Sequence, residues 1–343
     1  MLPVFDGHND ALTKDGHERL AEGKRKGHLD LPRMRAGGVR GGIFAVFVPS
    51  DGGAREKRIE RDDGVLEFSL APPVEHAVAA ALAGAAGGRL LALERSGAVR
   101  LARGAADLDQ ARDDDGPPVA VLHIEGAEAI DPGLEALDLW YGAGLRSIGL
   151  VWSRSNAFGH GVPFISPSTP DTGPGLTDAG RALVRRCAEL GIVVDVSHLN
   201  EAGFWDVAGL ELGPIVASHS AVHALCPTTR NLTDHQLDAV GASGGLVGIV
   251  FACPFLRPDF QDDPDTPIDL IAQHARYVAD RIGVEHVALG SDYDGATIPA
   301  ELGDVTGTPR LIEALARVGF DERELSLIAW ENWRRVLGEW WRA

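Results

Sequence analysis

Cysteine is scarce in this chain. Cys187, Cys226 and Cys253 are an odd number, stand far apart, show no paired-cysteine metal spacing and read as ordinary reduced thiols. Basic residues are also in deficit. The 32 Lys and Arg face 50 Asp and Glu, a net charge of -18 that repels nucleic-acid phosphates and anionic lipid headgroups. Neither a nucleic acid nor a membrane is therefore expected as a partner. No apolar run approaches the length needed to span a bilayer. Met1-Leu2-Pro3-Val4-Phe5-Asp6 leads straight into a strand-like segment without a signal-peptide pattern, so the expected location is cytoplasmic. A glycine-rich phosphate turn in a strand-turn-helix context is missing too, which argues against a dinucleotide fold and points to a metal as the cofactor.

What the chain does have is an alternation. Across 343 residues, 45% of them hydrophobic, short β-branched runs ending in polar residues alternate with Ala/Leu/Arg-rich helical stretches, the pattern of βαβ units and a parallel sheet. Eight strands are expected, at Val4–Asp6, Ile43–Val48, Val119–Glu125, Ser147–Trp152, Ile192–Val196, Ile215–Ser218, Leu246–Phe251 and Val287–Gly290. Helices are expected at Glu75–Leu101, Leu134–Tyr141, Asp178–Leu190, Thr233–Val240 and Ile268–Ile282, with Thr177 or Asp178 as an N-cap. Eight such repeats favour closure, so the expected fold is α/β, a (β/α)8 barrel of TIM type forming one domain over residues 1–343. The Gly/Pro/Ser-rich stretch Phe158–Gly175 and the acidic Arg257–Pro267 follow strands on the active-site side of such a barrel, as lids or as plain surface loops. The tail around Trp330, Trp333, Trp340 and Trp341 reads as an amphipathic closing helix that packs on the core or on a subunit.

Chemistry is concentrated at the strand ends. His8 and Asp10 are two apart just after an apolar strand, so both project to one side and can share a metal; alone, such a pair is common by chance. Glu125 follows the apolar run Val119–Ile124, where a carboxylate needs a partner: a metal, an Arg or a helix N-terminus. His123, two residues earlier, belongs deeper in the barrel. His198 and His219 each end a strand, and neutral imidazole is a preferred ligand of zinc-like metals. Asp292, in Gly290-Ser291-Asp292-Tyr293-Asp294-Gly295 after the last strand, is a candidate general acid/base, or else part of an Asp-rich turn.

These motifs, Asp6-Gly7-His8-Asn9-Asp10, Glu125-Gly126, Asp195-Val196-Ser197-His198, Ser218-His219-Ser220, Arg230-Asn231 and the Gly290–Gly295 segment, together resemble the renal (membrane) dipeptidase family over nearly the whole chain. The resemblance implies an amidohydrolase-type barrel with two zinc ions. Glu125 would bridge them, His8 and Asp10 would complete one site, and His198 and His219 the other. It also implies that Arg230 binds the terminal carboxylate of a dipeptide, that Asp292 handles the proton, and that the enzyme is a homodimer. One departure stands out. Membrane-bound members carry a substrate-contacting His in a Leu-Thr-His segment after the fourth strand. This chain has Leu150-Val151-Trp152-Ser153-Arg154-Ser155-Asn156, with Trp152 or Ser153 near the expected place and His160 too far along. Trp152, Ser153 and Asn156 are therefore the substrate-binding candidates of this segment.

The expected function is a metal-dependent dipeptidase in which a hydroxide held between two metals attacks the amide, with dipeptides ending in a D residue left open as substrates. Two other readings stay open. One is an amidohydrolase acting on N-acyl amino acids or lactones at the same centre. The other is a metal-free barrel that only binds.

Overall fold

A computed structural model of the chain describes residues 1–23, 26–50, 58–68, 70, 72–113 and 116–341. The β-branched runs become strands because both faces of each are covered, and every residue of Val119–Glu125 is buried. Eight parallel strands follow one another in chain order: β1 (Val4–Asn9), β2 (Val39–Phe47), β3 (Val119–Glu125), β4 (Leu145–Gly149), β5 (Val193–Asp195), β6 (Val216–Ser220), β7 (Leu246–Ile249) and β8 (Val287–Leu289). They form a nearly closed barrel ringed by helices, and all eight expected strands are present, most of them shifted by a few residues at an end. Closure is made at the C-terminal mouth, where Asp292 N donates to the His8 carbonyl at 3.0 Å and Asp10 N to the Tyr293 carbonyl at 2.8 Å. The chain-terminal strands are thus joined at the residues on which the chemistry was expected.

Register carries the strand ends to one level. Phe47 pairs with Glu125, Glu125 with Gly149 and Gly149 with Asp195, so side chains from non-adjacent parts of the sequence meet in a single layer. The helices start where their caps dictate. Thr177 accepts from Gly180 N ahead of Asp178–Leu190, and Thr233 and Gln236 form a reciprocal capping box ahead of Asp234–Ala242.

Two expectations need correction. The helix expected over Glu75–Leu101 is His76–Arg95 followed by a short strand, Arg100–Leu101, that pairs with β3; Gly97, at φ 75, takes the left-handed turn that ends the helix. The same His76–Arg95 helix, 20 residues long with a mean hydropathy of 1.4 over its most apolar 18, is long and apolar enough to cross a membrane by length and composition, contrary to the expectation that no run is. Its apolar count comes largely from alanine, and it buries Ala79, Ala83, Ala86 and Leu90 within the barrel's core.

The tryptophan-rich tail packs on the core. Trp330 meets the Phe5 ring edge-on at 5.6 Å, and Trp333, also against Phe5, donates from Nε1 to the Leu289 carbonyl at 2.9 Å. Gly7 of β1 lies so close to the Trp333 ring that no side chain fits there. One element has no counterpart in the expected set: an antiparallel sheet of Arg58–Glu60, Leu66–Phe68 and Phe164–Ser166, built partly from the stretch expected as a loop, Phe158–Gly175. It carries Phe164 to within 6.1 Å of the His198 ring.

Candidate metal centre

Five side chains converge at the barrel mouth: His8 from β1, Asp10 just beyond it, Glu125 from the end of β3, His198 from the turn after β5, and His219 from β6. All are buried. The two carboxylate oxygens of Glu125 face opposite halves of the group. Oε2 lies 3.5 Å from His8 Nε2, while Oε1 lies 3.2 Å from His198 Nε2 and 3.6 Å from His219 Nε2. Asp10 Oδ2 adds a further oxygen, 3.7 Å from His8 Nε2. His198 sits at φ 67, in the left-handed region that costs a non-glycine residue on the order of 1–3 kcal/mol. That turn aims its imidazole at Glu125.

The donor set fits a cation. Ligands at about 2.0–2.2 Å from a tetrahedral ion stand roughly 3.3–3.6 Å from one another, close to the separations around Glu125. His8 Nδ1 and Nε2 and Asp10 Oδ1 are buried without a hydrogen-bond partner among the described residues, and His198 Nε2 and His219 Nε2 face each other at 3.0 Å. Two such nitrogens converge only on something electron-poor, a proton or a metal. His8, Glu125 and His219 form one group able to hold an ion; His8, Asp10 and Asp292 form another.

Electrostatics here is a contest between burial and neighbours. Burial opposes ionisation of Glu125, yet the charge of His8 and the close polar contact with His198 hold its carboxyl well below the usual range. Burial likewise opposes protonation of His8, but Glu125 and Asp10 raise it well above an ordinary histidine. Burial pushes His198 down to about 4 and holds His219 well below an ordinary histidine, leaving both neutral, the form that binds a metal.

Asp292 lies at the partly exposed rim with φ 59, and burial together with the Asp10 charge raises its carboxyl well above 3.8. Gly295 packs against the carboxylates of Asp292 and Asp10, and a Cβ there would push both aside. The Asp292 turn is braced from β1: Asp6 accepts from Ser291 N at 2.8 Å and from Ser291 Oγ at 2.9 Å. Burial nevertheless carries Asp6 up to about 6.

Arg230 is buried, with Nη1 donating to Ser220 Oγ at 2.8 Å and Nη2 to the His219 carbonyl at 2.6 Å. Nε has no partner, and among the described residues no carboxylate lies within ion-pair distance. Burial lowers its pKa to about 10, so it stays a cation at neutral pH, stacked 5.7 Å from the Phe255 ring. A buried cation of this kind is completed by an anionic ligand.

The segment after β4 divides its three expected substrate contacts. Trp152 stands in the mouth, its ring 5.9 Å from His198 and 5.7 Å from Phe164. Ser153 turns its hydroxyl to His198 Nδ1 at 2.8 Å, behind the imidazole. Asn156 is committed to its own loop, donating to the Leu150 carbonyl and accepting from Phe158 N. Arg154, for which no role was expected, pins the segment through a buried ion pair with Glu128 at 2.8 Å and a bond to the Val48 carbonyl at 2.6 Å. Its guanidinium lies over both the Phe47 and Trp152 rings, at 5.3 and 5.4 Å. His123 lies deeper, as expected, with Nδ1 on Ser147 Oγ at 2.9 Å. The aromatic wall of Phe47, Phe164 and Phe255 was not legible, because its members are spread over about 200 residues of sequence.

Comparison with known proteins gives a consistent result. A family model described as membrane dipeptidase, peptidase family M19, matches residues 1–341. A metallo peptidase from Rhodobacter sphaeroides, solved with a phosphinate mimic of the dipeptide L-Ala-D-Ala, is 45% identical with a TM-score of 0.93, covering 99% of both chains. A second solved metallo peptidase, dipeptidase AC, is 44% identical with a TM-score of 0.93, covering 100% of this chain and 99% of its own. A Klebsiella pneumoniae protein known from the pqqA 5' region is 49% identical over 247 residues, 72% of this chain and 91% of the relative.

Proposed function

This chain belongs to the membrane dipeptidase family, peptidase family M19, as a metal-dependent dipeptidase, and from that premise we propose that it uses two zinc ions to cleave dipeptides that include those ending in a D residue. The observation that carries the proposal is the split of Glu125, one oxygen toward His8 and the other toward His198 and His219, which suits a carboxylate shared by two cations. Imidazole and carboxylate donors are those zinc accepts. Acceptance of a D residue is supported by the dipeptide mimic bound to the Rhodobacter sphaeroides relative.

His8 and Asp10 would hold one ion, His198 and His219 the other, with Glu125 between them. Metal ions so placed supply an ionised water near neutral pH and a Lewis acid for the amide carbonyl. The remaining work falls to the chain. Arg230 pairs with the substrate's terminal carboxylate and so sets the register of the peptide bond against the metal ligands. Asp292 accepts the proton of the attacking water and delivers it to the nitrogen of the breaking C–N bond, a role suited to a carboxyl whose pKa lies above the ordinary range. Ser153, Asp6 and Arg154 orient these groups.

The test is release of free amino acids from L,L and L,D dipeptides by zinc-loaded protein, run beside C-terminally amidated copies. Cleavage of free dipeptides is expected, with kcat/KM for the amides lower by about 100-fold, the loss of charge-assisted hydrogen bonds worth about 1.5–3 kcal/mol each. Equal cleavage of the amides removes Arg230 from its role. Cleavage of N-acetyl amino acids or lactones but not dipeptides moves the function to another amidohydrolase reaction.

Trp152, Phe47 and Phe164 give the mouth an apolar wall beside His198, which favours uncharged side chains on the substrate. Trp152→Ala is expected to raise KM about tenfold for dipeptides with large apolar side chains and to leave Ala-Ala nearly unchanged, since burying such a side chain is worth about 1.5–3 kcal/mol. A uniform loss across substrates in a KM and kcat series contradicts that wall.

A further inference from the structure

Asp195 belongs to no step described so far, yet it sits one side chain behind His219. Its Oδ1 accepts from Ser197 N at 3.0 Å and from Ser218 N at 2.9 Å, and its Oδ2 accepts the Ser218 hydroxyl at 2.5 Å. Every partner is a donor, so the group acts as an acceptor-only carboxylate. Ser218 Oγ in turn lies 2.8 Å from His219 Nδ1 and 3.5 Å from Ser197 Oγ. A hydroxyl has one proton to give. With that proton on Asp195, the serine can only accept from His219, which places hydrogen on Nδ1 and leaves the Nε2 lone pair facing Glu125.

We propose that Asp195 is a positioning residue that, through Ser218, fixes His219 as the tautomer able to bind metal. This rests on the reading of His219 as a metal ligand. The relay makes an ordered prediction, because asparagine reverses its polarity. In Asp195→Asn the two backbone N–H groups hold the amide oxygen where Oδ1 was, so the NH2 takes the place of Oδ2. From there it donates to Ser218 Oγ, and His123 Nε2, otherwise unpartnered and 3.9 Å from that place, can take its second hydrogen. Ser218 then donates to His219 Nδ1 at 2.8 Å in preference to Ser197 Oγ at 3.5 Å, and the hydrogen of His219 moves to Nε2, where it blocks the metal. Removing the hydroxyl cuts the relay and leaves the tautomer free.

The experiment measures zinc affinity by chelator competition, and zinc per chain, for the parent, Asp195→Asn, Ser218→Ala, the double variant and His219→Ala, with thermal melts for folding. Loss of an outer-shell partner costs about 10- to 100-fold in metal affinity. Asp195→Asn is expected at the large end and Ser218→Ala at the small end. The double variant should bind zinc as tightly as Ser218→Ala and more tightly than Asp195→Asn. A double variant no better than Asp195→Asn overturns the relay, since a purely structural aspartate is not rescued by a second deletion. If Asp195→Asn does not fold, unchanged zinc affinity in Ser218→Ala overturns it alone. Unchanged affinity in His219→Ala instead removes His219 from the ligand set, a failure of the underlying reading that the other variants do not mimic.

Discussion

Asp292→Asn is expected to lower kcat for dipeptide cleavage by about 100- to 10,000-fold while the protein keeps its zinc and its KM changes little, as removal of a positioned general acid/base does. The substitution keeps the shape of the side chain and an oxygen acceptor, so the turn held by Ser291 on Asp6 and by Asp292 N on the His8 carbonyl stays in place. What it removes is a site for a proton. The acid limb of the pH profile supplies a second readout. Asp292 must be ionised to take a proton, so activity falls as pH drops through its pKa in the parent, and the asparagine variant loses that limb. Parallel losses of zinc and activity would instead place Asp292 among the ligands, which its grouping with His8 and Asp10 permits.

The sequence made the strand-end residues legible for a physical reason. A carboxylate at the end of a largely apolar run, or an imidazole closing a β-branched one, is costly unless something binds it, and a parallel barrel collects such positions at one rim. Hence His8, Glu125, His198 and His219 could be named before their convergence was seen. Contacts set by long-range packing were not legible. Phe164 reaches His198 because a three-residue strand pairs with Leu66–Phe68 about a hundred residues earlier, and strands that short carry almost no periodicity. The segment after β4 shows both sides. Its departure from the family pattern was visible, and Trp152 does stand in the mouth, but whether Ser153 and Asn156 face substrate depends on a loop clamped by Arg154 and Glu128. The tautomer chain behind His219 lay within two motifs, Asp195-Val196-Ser197-His198 and Ser218-His219-Ser220, and only the pairing of β5 with β6 joins them.

Glu125→Gln carries the other large effect, and it acts on binding before chemistry. The carboxylate is the anion toward which His8, His198 and His219 all turn, and glutamine replaces one of its two acceptor oxygens with a donor that no cation can use. Zinc content is expected to fall from the proposed two per chain to one or fewer. The several kcal/mol supplied by metal polarisation go with it, so kcat/KM falls by at least about 1,000-fold. Stability should follow occupancy. Zinc at about 100 times its Kd adds about 2.7 kcal/mol to the parent, so a chelator lowers the parent Tm, whereas the variant, already depleted, melts at nearly the same temperature with and without chelator. The effect also has a pH sign. Glu125 and Asp10 raise His8 above the ordinary histidine value, so a metal must displace a proton there, and zinc affinity of the parent weakens as pH falls. In the variant the loss of the Glu125 charge lowers His8 again, and that proton competition diminishes. Two zinc ions retained in Glu125→Gln, with a chelator-dependent Tm, would mean that the ions are held without a shared carboxylate.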